Sequence, residues 1–197
     1  MKVQSMLSCL LLPIFIVACS SASMKLTKQD VTSSTRLIFG KIIDLNPESK
    51  PSELQVTYVL QNSDKALGVS FGNKFPYLEP KSDFFWISVP QDTKYFGVTS
   101  IRFGINGMEG TAIIRDDKTH KALMGTELKP GNEPVYIGEI VIRSGTRKYG
   151  AIRLPAEGFD LKELNIKANP KMAKDILDRN GIDSSKLIIN TAKINNI

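Results

Sequence analysis

The sequence predicts a mainly β fold, an antiparallel β-sandwich closed by a short helix and a last strand. Three observations lead there. Short runs rich in β-branched and aromatic residues recur roughly every 10–15 residues between Thr35 and Leu154. Clusters of Gly, Pro, Asn and Asp separate them and supply turns. No segment of helical period interrupts the run before Asn169, so the strands are expected to pair antiparallel in two stacked sheets.

Ahead of the strands, Met1-Lys2 begins the chain, Met6 to Val17 is mostly apolar, and Ala18-Cys19-Ser20-Ser21 follows. A basic start, a short apolar segment and small residues make an export signal. At about 12 residues the apolar stretch falls short of the roughly 20 that span a bilayer as helix, and Pro13 interrupts it. The quartet Ile16-Val17-Ala18-Cys19 resembles the lipobox of bacterial lipoproteins. The resemblance implies that residues 1–18 are a signal peptide, that Cys19 takes the lipid (a diacylglyceride, with palmitate a typical acyl chain), and that the membrane is reached through it. Ser20 stands where aspartate would resemble an inner-membrane retention signal, which points to the outer membrane of a two-membrane bacterium. The competing reading is an ordinary secretory signal cut near Ala22 or Ser23. Residues 19–34 are expected to be the lipidated cysteine and a flexible tether, reaching at most about 50 Å.

The sandwich domain is expected over residues 35–168. Thr35 to Leu45 reads as a strand bent at Gly40, Asn46 to Pro51 as a loop, and Glu53 to Gln61 as an alternating strand. Residues 62–82 are loop-rich, with a short strand at Leu67–Phe71. Phe84 to Val89 is apolar at nearly successive positions, as in a central strand buried on both faces. Strands are further expected at Tyr95–Phe103, Gly110–Arg115, His120–Met124, Pro134–Arg143 with a bulge at Gly138, Tyr149–Leu154 and Phe159–Ala168.

Residues 169–197 form a C-terminal extension. Asn169 caps and Pro170 opens a helix whose stripe Met172, Ala173, Ile176 and Leu177 is expected to dock on the sandwich, because so short a helix does not stand alone in water. Asn180-Gly181 ends it, and Leu187-Ile188-Ile189 is the closing strand. Two segments, Val89-Pro90-Gln91-Asp92-Thr93-Lys94-Tyr95 and Glu133-Pro134-Val135-Tyr136-Ile137-Gly138-Glu139-Ile140, resemble elements of bacterial lipoproteins with immunoglobulin-like or transthyretin-like β-sandwiches. They imply an architecture and carry no catalytic residue.

Side chains that carry chemistry are scarce. Cys9 leaves with the leader and Cys19 is taken by lipid, so no disulfide, cysteine nucleophile or thiolate metal site is expected. His120, the single histidine, sits in a turn with no nucleophile motif nearby. Asp116-Asp117 reads as a polar turn flanked by Arg115 and Lys118, and Gly104, Gly107 and Gly110 as a turn without a following helix. No metal, cofactor or catalytic residue is assigned. The 26 Lys and Arg against 20 Asp and Glu are spread along the chain, which argues against nucleic acid. Phe71, Phe75, Tyr77, Phe84, Phe85 and Trp86 are expected mainly as core. Phe75-Pro76-Tyr77 is the piece that could meet a ligand or partner, since proline fixes the loop that presents it.

The function expected is a lipid-anchored envelope protein, not an enzyme, that binds or helps assemble another envelope protein or cell-wall component. The alternatives are an envelope hydrolase working through carboxylates, and a carrier or sensor of an apolar or glycan ligand.

Overall fold

Neighbouring side chains of Phe84–Pro90 (β4) go to two different cores. Phe85 and Val89 point into one, Phe84 and Trp86 into the other, as the alternation of a strand dictates. That division organises the molecule into a helix layer, a sheet and a second sheet. The computed structural model describes residues 26–28, 31–71, 84–105, 108–116, 122–146 and 159–194.

Among these residues two sheets form. The first contains β1 (Thr35–Asp44), β4, β8 (Val135–Thr146), β9 (Phe159–Lys167) and β10 (Ile188–Ile189), with β8 and β1 central and β4 at one edge. The second contains β2 (Ser49–Leu60), β3 (Ala66–Phe71), β5 (Thr93–Ile105), β6 (Met108–Ile113), β7 (Met124–Glu127) and β11 (Lys193–Ile194). Here β5 pairs with β2 along one side, and with β7 and then β6 along the other. The protein is thus a mainly β sandwich with one short α-helix, α1 (Pro170–Arg179).

The pairing is not wholly antiparallel. β8 runs parallel to β1, from Ile38 opposite Val135 to Asp44 opposite Ile142, and parallel to β10. Short turns force antiparallel pairing only between consecutive strands. Between β1 and β8 the chain builds β2 to β7, which is β4 and all of the second sheet except β11, so either sense can close. The bulge expected at Gly138 is present: Phe39 faces Tyr136 and Lys41 faces Glu139, leaving Gly40 opposite Ile137 and Gly138. Gly138 has φ +109°, and a Cβ at Gly40 would lie 2.9 Å from the Gly138 carbonyl oxygen and from the Phe85 ring.

Three boundaries differ from expectation. The loop expected at Asn46–Pro51 gives way to strand at Ser49, which pairs with Ile105, and Pro51 is absorbed by a register shift before Glu53. Of the strand expected at His120–Met124, residues 120 and 121 lie outside the described residues, and the strand observed, β7, begins only at Met124. Ala122 makes only an isolated bridge to Arg115. Its small, glycine-bearing sequence hides a strand because Gly125 is needed to let the Tyr95 ring cross it, with a Cβ there falling 2.2 Å from the Tyr95 hydroxyl. β11 was not anticipated. The strand expected at Tyr149–Leu154 lies outside the described residues.

Between the sheets, Ile38, Ile42, Phe85, Phe96, Phe103, Ile140 and their neighbours form the larger core. On the far side of the first sheet, Leu37, Phe39, Phe84, Trp86 and Tyr136 pack against Ala173, Ile176 and Leu177 of α1. The helix therefore docks on its own sandwich. Asn169 accepts the Met172 amide at 3.2 Å, while its side-chain amide donates to Glu139 of β8 at 2.9 Å, so the cap also fixes the helix to the sheet. At the other end Gly181 (φ +66°) donates to Asp178 O, and Ile182 to Leu177 O, a left-handed helix stop.

Both ends of the described chain are tied down. The last segment adds β10 to one sheet and β11 to the other, burying Ala192 in the main core between them. At the front, Leu26 is 2% exposed within the helix-side core and Val31 packs beside it. Within the tether expected to reach Ser34, Leu26 and Val31 thus pack on the helix-side core.

Because α1 contributes one wall of that core, Leu177→Ala is expected to lower stability by about 2–5 kcal/mol, whereas exposed Lys174→Ala should change it by less than about 0.5 kcal/mol. Urea unfolding followed by circular dichroism measures both. Equal effects would mean that the helix is not integral to the fold.

Candidate functional site

Strand alternation puts Arg36 on the same side of β1 as Ile38, facing between the sheets, while Leu37 and Phe39 face the helix. Arg36 is 1% exposed, an uncommon place for a guanidinium. Its Nη1 donates to the Lys129 carbonyl at 2.6 Å and its Nη2 lies 3.7 Å from Glu133 Oε2, while Nε has no partner. Burial lowers the Arg36 pKa and the Glu133 carboxylate opposes that shift. The chain from Lys129 to Glu133 wraps this cation closely. A Cβ on Gly131 would fall 2.3 Å from Glu133 Oε2 and 2.7 Å from Arg36 Nη2.

That wrapped segment forms one wall of a groove. Asn132, Glu133 and Pro134 face Ile182, Asp183 and Lys186, with Val31 from the N-terminal segment as part of the floor. Its volume is about 160 Å³. Ligand pockets for drug-sized molecules start near about 300 Å³, so this groove suits a single side chain or a small group. Its apolar floor continues the helix-side core, to which Ile182 and Val31 belong.

Two carboxylates stand on this groove, and both are engaged. Glu133 turns to Arg36. Asp183 accepts the Ser185 amide at 2.9 Å, capping the turn Ser184–Lys186, and that hydrogen bonding holds its pKa below the usual carboxylate value. Asp183 is therefore no proton donor near neutral pH, which paired-carboxylate hydrolysis requires of one partner.

The aromatic residues singled out in sequence divide. Phe84, Trp86, Phe39 and Tyr136 form a group of mutually tilted rings with centroid separations of 5.4–5.9 Å, packed in the core beneath α1, and Phe85 fills the core between the sheets. They line packing, not a cavity for a carrier's ligand. Cys19, Phe75, Tyr77 and His120 lie outside the described residues. Among the described residues no group of three or more His, Cys, Asp or Glu is gathered as a metal site would need. No helix among them is long and apolar enough to cross a membrane.

Sequence reasoning missed Arg36 and Glu133. The available signal was a charged residue one position before Leu37-Ile38-Phe39, which reads equally well as a solvated strand end. It also missed Tyr136, whose hydroxyl is buried without a hydrogen bond of good geometry. Burial pushes its pKa upward, the Glu139 carboxylate adds to the rise, and the Asn169 backbone offsets part of it.

The outer face of the second sheet carries mostly polar side chains. Arg102 Nη1 meets Glu53 Oε2 at 3.1 Å, Ser100 Oγ and Gln55 Oε1 are 2.9 Å apart, and Thr111 and Ile113 flank them exposed. Comparison with known proteins finds no matching family model, no matching curated protein and no matching solved structure.

Removing the unpaired Tyr136 hydroxyl should cost nothing, so Tyr136→Phe is expected to leave stability unchanged or raise it by up to about 1 kcal/mol. The phenol stays protonated in the fold at pH values where the unfolded chain ionises near about 10. Burial therefore carries no ionisation penalty below that pH, and stability falls as pH rises from there toward the raised folded pKa. Melting temperatures from pH 8 upward (about 8 to 11) should fall less steeply for Tyr136→Phe than for the parent. Parallel curves would remove Tyr136 from the account.

Proposed function

We propose that this protein is an envelope lipoprotein of a bacterium, anchored through a lipid on Cys19 and acting as a non-enzymatic binding or assembly module at the outer membrane. The observation that carries the reading is the quartet Ile16-Val17-Ala18-Cys19 at the end of a short apolar leader. The fold agrees with it. The sandwich starts close behind Cys19 and is built without any cysteine, so the one thiol after the leader is available for acylation.

The binding role is supported by the groove beside Glu133 and Asp183. It is too small for a typical metabolite and sized for one side chain of a partner, which fits docking of another envelope protein or a cell-wall peptide. Both carboxylates being held in structural contacts weighs against the hydrolase alternative. The packed aromatic group weighs against an apolar carrier in the same way.

Growth of an expressing bacterium with labelled palmitate should place label on the parent protein and recover it with membranes, and Cys19→Ser should abolish both. Label and membrane retention persisting in Cys19→Ser would end the assignment. A photocrosslinking amino acid at Asn132, on the groove, should give a discrete adduct in intact envelopes, while one at Thr111, on the second sheet's outer face, should not. Adducts only at Thr111 would move the binding site to the second sheet.

A further inference from the structure

We infer that the free edge of β10 takes an extended segment of a partner protein as an added strand, which lays one of its side chains into the adjoining groove. The inference rests on the groove-binding role proposed above and adds the partner's conformation and the backbone groups that hold it.

β10 stands at one end of the first sheet and runs parallel to β8, with Ile188 opposite Val135 and Ile189 opposite Tyr136. Ile188 donates its amide to the Pro134 carbonyl at 2.9 Å, Asn190 to Tyr136 at 3.0 Å and Ala192 to Ile137 at 2.9 Å. Successive peptide groups of an extended chain point to opposite sides, so those of Ile189 and Thr191, lying between these donors, turn away from β8. Among the described residues no strand pairs with that side of β10. A row of N–H and C=O groups so turned is a template for another strand.

The side chains leave this edge accessible. Ile188 and Ile189 are 39% and 38% exposed, one on each face of the strand. Apart from its brevity, β10 has none of the devices that keep an edge from pairing: no lysine, no proline and no bulge within it. Ile194 is exposed a few residues on, so the last segment is where exposed isoleucines recur.

The edge is continuous with the groove. Pro134, whose carbonyl accepts the first β10 amide, is also a groove wall, and Lys186 on the opposite wall lies two positions before Ile188. Its register opposite Tyr136 turns Ile189 to the helix side of the sheet, the side of the Val31 and Ile182 floor. A strand added at β10 sends every second side chain to that same side, and a groove of about 160 Å³ takes one of them. Main-chain bonds then supply affinity while the groove selects the side chain. A partner helix satisfies its own peptide groups and has none to offer those of Ile189 and Thr191.

The test uses the full acylated protein in intact native envelopes, with a photocrosslinking amino acid at Asn132. Ile189→Pro removes only the outward N–H, and Ile188 before it is already extended, as proline requires. Ile189→Ala keeps that N–H and shortens the side chain. With melting temperatures unchanged, Ile189→Pro should lower the Asn132 adduct at least about fivefold and Ile189→Ala less than about twofold. An adduct untouched by Ile189→Pro, or lowered equally by both variants, overturns the added strand and leaves the groove reading standing. No discrete Asn132 adduct in the parent removes the groove reading and this inference with it. A second measurement needs no proline: photocrosslinkers in place of Ile189 and of Thr191 should join residues two apart in one partner segment. Joined residues three or four apart, as on a helix, overturn the strand, and adducts to residues 187–191 of a second copy overturn the partner.

Discussion

Burial of the first sheet on both of its faces is the constraint from which the remaining architecture follows. Phe39, Phe84 and Tyr136 cannot be left to water on the side away from the main core, and the second sheet already occupies the other side. Something must cover them. The chain uses α1, which at ten residues would be marginal alone and is stabilised by docking there. Leu26 and Ile182 complete the cover, so the N-terminal segment and the helix stop become parts of one small core.

The groove arises where that cover meets the seam between sheets. Arg36 closes the end of the main core and requires acceptors, which the segment from Lys129 to Glu133 supplies by folding back over it. The same segment, held in place, becomes a wall facing Asp183 and Lys186. A buried cation is a costly way to hold a loop, since its desolvation opposes its pairing. Its return here is a loop of defined position at the surface, which a purely apolar end would not specify.

Much of this was legible in residues alone. Alternation of Leu54, Val56 and Tyr58, the two-sided apolarity of Phe84–Val89, the Asn169-Pro170 cap and the Asn180-Gly181 stop are local signals, decided within a few residues of backbone sterics and hydrogen bonding. The short apolar stretch from Met6 to Val17 and the Cys19 that follows it are likewise a local pattern. What the sequence could not contain is anything set by residues distant in the chain. The parallel pairing of β1 with β8 spans about a hundred positions, β7 pairs with β5 and β11 with Gly125 leaving room for the Tyr95 ring, and Arg36 finds its acceptor and its carboxylate in Lys129 and Glu133, far along the chain. Local order was determined by the sequence itself; which faces are covered and where the groove lies were decided by tertiary packing, because burial is a property of neighbours in space.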